Sequence, residues 1–196
     1  MHDAAPLLDV MAKISPILDI LRQNDRDAYV STLFVPDDKR SAIASIWAFN
    51  AEIERIPQLV SEPFLGEIRL QWWRDVCNGA RSEEGGQHPV AAALLDTISK
   101  YNLPVTAFDN LCDARIFDLY NDIIPSKADF EGYLGHTRSL LFQMCAQILG
   151  GGAQSADASG HARYGLLALL NYCDQWRIIG QKDKLLFRKI CSVQPG

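Results

Sequence analysis

Between Arg40 and Glu54 one residue per turn falls on a single stripe, Ile43, Ile46, Trp47, Asn50 and Glu54. Spacings of three and four are what an α-helix needs to bury one face. Val35-Pro36-Asp37-Asp38 has the proline and acids of a helix start, and Pro57 marks its end. The stripe is apolar until its last turns. A carboxylate on a buried face requires a partner, a metal or solvent, so this one helix predicts both a core and a polar site at one end of it.

The same period recurs along the chain. Leu7, Val10, Met11, Ile14, Ile17, Leu18 and Leu21 predict an N-terminal packing helix, restarted at Pro16 with Ser15 as its cap. Ser61-Glu62-Pro63 reads as a linker, and from Leu65 a further helix carries Ile68, Trp72 and Val76 on one face with Arg69 and Trp73 beside it. Adjacent helical residues point about 100° apart, so Trp72 and Trp73 are expected to wedge between two neighbouring helices or to line a ligand tunnel. Arg69 and Arg74 suit acidic partners and phosphate equally well. The glycines and charges of 79–89 predict a loop. Helices are expected at 90–101, 106–121, 128–149, where Gly150-Gly151-Gly152 closes the run, and 159–172. No β alternation stands out, so the class is all-α. The 196 residues suit one domain, 1–196.

Composition serves mainly to exclude. A chain 48% hydrophobic and 22% charged, with net charge −5, is an ordinary globular sequence with no footprint for nucleic acid. Cys77, Cys112, Cys145, Cys173 and Cys191 lie far apart with no CxxC pair, which predicts buried thiols in a reducing compartment. No run approaches the ~18 apolar residues of a membrane span, and residues 1–25 fit neither a signal nor a transit peptide. A cytoplasmic protein is expected, with peripheral contact through the N-terminal helix as the remaining membrane mode.

No GxSxG, P-loop, HExxH or dinucleotide-binding pattern occurs, and His2, His88, His136 and His161 are scattered, so the acids are the only plausible catalytic set. Asp118 and Asp122 stand at i, i+4, as do Asp109 and Asp113. Paired carboxylates repel unless a cation lies between them, which suits Mg²⁺ bridged to a diphosphate. An exposed helix face explains such pairs equally well.

Three segments carry a resemblance. Residues 29–40 read Y-x-S-x-x-F-x-P-x-x-x-R, residues 42–50 read A-x-x-x-x-W-A-F-N, and residues 66–75 read G-E-I-R-L-Q-W-W-R-D. With Asp113, Arg115, Phe117, Asp118, Tyr120, Tyr133 and Gly151 following in order, residues 25–170 resemble the squalene/phytoene synthase family. The resemblance implies an all-α isoprenoid-synthase-like helical bundle. It also implies the family's reaction, head-to-head condensation of two prenyl diphosphates with Mg²⁺ held by two aspartate-rich motifs. On that reading Glu54, Asp118 and Asp122 are the candidate metal or diphosphate ligands. Phe34, Trp47, Trp72, Trp73 and Tyr133 are candidates for substrate tunnel or core.

The chain also departs from the family's pattern. Where active members read R-x-x-D-x-x-x-D it has Ala51, Glu54 and Gln58, which keeps one carboxylate and loses the other together with the arginine. The glycine-bearing segment after the family's tyrosine becomes 137–142, where Arg138 and Phe142 are expected to fill space that active members leave for substrate. The second aspartate-rich motif is missing before Gly196, Asn171 and Asp174 being only an echo. The basic tail 171–196 diverges, so the bundle is expected to be incomplete at its C-terminus and to expose an apolar face for a protein partner. Two functions follow from the resemblance. One is a non-catalytic or impaired member with an assembly-factor-type role, similar to the phytoene-synthase-like domain of the mitochondrial complex I assembly factor. The other is an active Mg²⁺-dependent prenyl diphosphate transferase.

Overall fold

The computed structural model describes residues 5–120 and 124–150, with side chains from Ile14 onward except that of Lys127. Among these residues every regular element is helical. The order is α1 (Ala5–Asn24), α2 (Arg26–Leu33), α3 (Asp37–Glu54), α4 (Ile56–Leu59), α5 (Pro63–Cys77), α6 (Ser82–Gln87), α7 (Pro89–Tyr101) and α8 (Val105–Tyr120). After residues 121–123, α9 (Lys127–Leu134), a π segment (Gly135–Ser139) and α10 (Leu140–Ile148) follow without a break.

The stripe of α3 understates how deeply this helix is buried. Residues 42–51 and Ile53 are all buried, as expected of a central helix covered on every side. α1, α2, α7 and α10 pack around it, while α5 pairs chiefly with α8. Phe49 joins the two groups, meeting Trp73 of α5 at 5.1 Å and Phe108 of α8 at 5.5 Å, both edge-on. The Ser45 and Thr97 hydroxyls share a buried 2.9 Å hydrogen bond between α3 and α7, which satisfies two polar groups inside the core.

The α5–α8 crossing depends on Gly66, where a Cβ would meet Leu119 Cδ2 at 2.4 Å. The ion pair of Arg74 with Asp113 and the 3.0 Å hydrogen bond from Asn78 Nδ2 to Asp109 run along the same crossing. Asp109 and Asp113 are therefore tied to α5 rather than converging on a cation, and Arg74 has an acidic partner.

Several local expectations change. Pro16 lies inside α1, which runs through it instead of restarting. The predicted loop 79–89 contains α6, whose first turn carries Glu83 and Glu84 where the helix dipole favours acids. Gly79, at φ +82°, supplies the turn before it. α5 buries Leu70, Trp73, Val76 and Cys77, whereas Ile68 is 51% exposed, so the core face is rotated from the expected one. Phe34, placed by sequence in core or tunnel, is 85% exposed because it caps α2 at the turn into Pro36. The predicted helix 128–149 is broken in pitch by the π segment. Gly150, at φ +91°, follows its end as expected. The expected helix 159–172, Asn171, Asp174 and the basic tail lie outside the described residues.

Cys77, Cys112 and Cys145 are buried free thiols, each pushed up to about 12 by burial, so none is a nucleophile at neutral pH. No helix among the described residues is long and apolar enough to cross a membrane.

Candidate functional site

The last turns of α3 carry Asn50 and Glu54 one helical turn apart on one face. Asn50 Nδ2 donates to Glu54 Oε2 at 3.0 Å, which fixes the carboxylate from its own helix. From α8, Arg115 reaches in beneath them. Its Nη2 donates to Asn50 Oδ1 at 3.0 Å and lies 3.5 Å from Glu54 Oε1. Its Nη1 donates to Asp118 Oδ2 and to Tyr133 Oη, both at 3.0 Å. Tyr133 of α9 in turn donates to Asp118, 2.9 Å from Oδ1 and 3.0 Å from Oδ2.

Arg138 closes the cluster from the opposite side. Its Nη2 donates to both oxygens of Glu54 at 2.9 Å, although its side chain is only 2% exposed. The π segment explains how so large a cation arrives there. A wider turn changes which residues face inward, and Thr137, Arg138 and Ser139 are buried in succession. Thr137 Oγ1 donates to the Tyr133 carbonyl at 2.7 Å and so satisfies a backbone acceptor beside the distortion.

Electrostatically the site contains its own counter-charges. Two guanidinium groups, Arg115 and Arg138, face two carboxylates, Glu54 and Asp118. Burial works against the charge on Arg115, but the surrounding oxygens of Tyr133, Glu54 and Asp118 outweigh it and hold this guanidinium above its ordinary value. Asp25, which caps α2 by accepting from the Ala28 amide at 2.9 Å, lies near the same cluster. Burial raises its carboxyl above the ordinary 3.8, the Ala28 hydrogen bond and the charge of Arg138 opposing only in part.

This donor set does not fit Mg²⁺. The ion needs several oxygens in near-octahedral array, yet both oxygens of Glu54 already accept from Arg138, and Asp118 accepts from Arg115 and Tyr133. A divalent ion at Glu54 would stand beside two fixed cations in a partly buried setting where repulsion is poorly screened. Among the described residues no group of three or more His, Cys, Asp or Glu side chains is placed to hold a metal ion.

Of the residues singled out by sequence, the structure brings Glu54, Asp118 and Tyr133 into one network, while Asp122 lies outside the described residues. Trp47 is buried and meets Phe142 edge-on at 5.4 Å, and Trp73 is core. Trp72 is half-buried, packs with Trp73 on His88, and donates Nε1 to Glu84 at 3.2 Å. Sequence reasoning missed the two arginines as partners of Glu54. Arg138 reads as bulk in a sequence, and no local spacing joins it to an acid 84 positions away. The one usable signal was that Glu54 itself required a partner.

Comparison with known proteins adds an independent line. The family model described as squalene/phytoene synthase matches residues 21–173. Among curated proteins, the chain is similar to "NADH dehydrogenase (ubiquinone) complex I, assembly factor 6" of Bos taurus, 29% identical over 133 residues, which cover 68% of this chain and 40% of the relative. The proteins of the same name from Homo sapiens and Mus musculus are 28% and 27% identical over the same length. The chain thus spans about two fifths of the length of the curated relatives it matches. No solved structure matches.

Proposed function

We propose that this chain, which belongs to the squalene/phytoene synthase family, acts as a non-catalytic member in an assembly-factor-type role, through protein contacts rather than through prenyl transfer. The observation that carries this reading is the double capture of Glu54. The family's reaction needs metal ions to neutralise a diphosphate leaving group, and carboxylates free to hold those ions. Here the carboxylate of the first motif accepts from Arg138 with both oxygens and from Asn50 with one, while Arg115 stands 3.5 Å away. The guanidinium groups occupy the electrostatic role that metal would take, and they cannot leave with a product.

The names of the relatives support the same reading: proteins called complex I assembly factor 6 share this domain at 27–29% identity. On this proposal the inherited bundle is a rigid scaffold, the partner is a protein, and the setting is cytoplasmic or membrane-peripheral. Exposed Phe34, Phe64 and Ile68 offer apolar contact points. A prenyl diphosphate as ligand remains a property of the family.

The test is turnover. The purified protein incubated with farnesyl or geranylgeranyl diphosphate and Mg²⁺ is expected to release no diphosphate above the uncatalysed rate. Release that Glu54→Ala abolishes would overturn the proposal and restore the transferase reading.

A further inference from the structure

α5 is apolar on two faces. Leu70, Trp73, Val76 and Cys77 turn towards the core. On the opposite side Phe64 is 65% exposed, Leu65 44% and Ile68 51%, with half-buried Trp72 next along the same stripe. A surface helix ordinarily turns charged and polar residues outwards. Here Leu65, Ile68 and Trp72 fall at i, i+3 and i+7, which is the spacing of a seam between two helices.

Two charges border this seam on one side. Glu62 and Arg69 stand seven residues apart, so they share one rim of α5, and both are exposed. Glu62 is the N-cap residue of α5, yet its side chain makes no capping hydrogen bond. Neither side chain has an ion pair among the described residues. The other rim carries Phe64 and Gln71, with no charge. The midpoint between Glu62 and Arg69 falls at Leu65 and Gly66, inside the apolar stretch itself. A twofold axis at that point sets each acid opposite a base.

We propose that this face of α5 is the interface of a homodimer, in which α5 packs antiparallel against α5 of a second copy. Leu65 then meets Ile68 of the other copy, and Glu62 pairs with its Arg69 on both sides of the axis. An isologous contact of this kind needs a patch that complements itself. An acid and a base placed symmetrically about an apolar strip meet that need. A parallel pairing would set the charged rim against Phe64 and Gln71 and leave both charges without partners. A bilayer suits the face less well, because Glu62 and Glu67 stand on this helix in a chain of net charge −5, and anionic lipid repels them. The strip is short, so the dimer is weak, with a dissociation constant between about 1 µM and about 1 mM. The two ion pairs set register and orientation more than affinity. The proposal stands whether or not the chain turns over prenyl diphosphate, and its test is separate from that one.

The test is sedimentation equilibrium of the full chain across that concentration range. The parent is expected to pass from monomer to dimer and no further. Glu62→Lys places like charges opposite each other twice in the dimer, and so does Arg69→Glu. Each should weaken self-association at least about tenfold, with the circular dichroism unchanged. Mixed one to one, the two variants complement each other at both contacts and should associate as the parent does. The double variant Glu62→Lys/Arg69→Glu should also dimerise like the parent. Ile68→Gln, which removes apolar contact without touching a charge, should leave a monomer. A parent that stays monomeric throughout would overturn the proposal, and its binding to phosphatidylcholine–phosphatidylserine vesicles would then assign the face to a membrane. Dimers that the single reversals or Ile68→Gln leave intact, or single variants that do not associate when mixed, would overturn it equally by moving the contact elsewhere.

Discussion

Arg138 and Glu54 meet across 84 positions of chain with one guanidinium nitrogen 2.9 Å from both carboxylate oxygens. Removing one partner of such a pair strands the other, which commonly costs more than the pair contributes. Arg138→Met should therefore lower stability by about 3 kcal/mol in urea unfolding. Adding Glu54→Gln should recover part of the loss, a coupling that an additive pair would not show. Asp25 argues in the opposite direction. Its carboxyl is raised above 3.8 by burial, so the ionised form is disfavoured in the folded state. Stability from this group is complete below the unfolded pKa and is lost as pH rises through the folded one. Asn caps a helix about as well as Asp. Asp25→Asn should thus stabilise the protein at pH 7, and the gain should fade as pH falls towards 3.8, as thermal unfolding across that range will measure. Neither result was legible in sequence, because i, i+4 spacing finds neighbours on one helix and is silent about partners on another. Glu54 announced that it needed a partner, and only the fold supplied two arginines.

Helix existence was far more legible than helix detail. Proline and acid at the start of α3, and tryptophans and apolar residues at turn spacing, placed α3, α5, α7 and α8 to within a few residues. Hydrophobic periodicity responds to burial of a face, so it missed α6, which buries only Gly85. It also misjudged α5, where Ile68, read on one apolar face with Trp72 and Val76, is exposed. The close approach at Gly66 was hidden for a related reason, since a missing side chain leaves no periodic signal. Gly66→Val should cost about 2 kcal/mol by overpacking against Leu119, and Leu119→Ala in the same chain should restore part of it, as paired urea titrations can show. The π segment permits a sharper test at this scale. Deleting Gly135 should return the stretch to α pitch and displace Arg138 from its contact with both oxygens of Glu54. The variant is expected to unfold at lower urea than the parent and to show no further loss on adding Arg138→Met.

At the level of the whole molecule, a bundle whose family is shown by residues 21–173 carries a polar centre in which two cations and two anions of the chain itself are already paired. The all-α class and the family were legible because they rest on periodic and aromatic residues, whereas closure of the centre depends on Arg138, whose meaning is set by what it touches. The consequence is measurable without turnover. A ligand present at a hundred times its Kd that binds only the folded state adds about 2.7 kcal/mol. For a domain of this size that raises Tm by roughly 5–10 °C. Millimolar Mg²⁺ with farnesyl diphosphate should leave the Tm of the full chain unchanged, because the ion finds Glu54 and Asp118 already neutralised by arginine. A rise of the expected size that Arg138→Met does not alter would mean that the guanidinium is no barrier, and the centre would then have to be read as an open metal site.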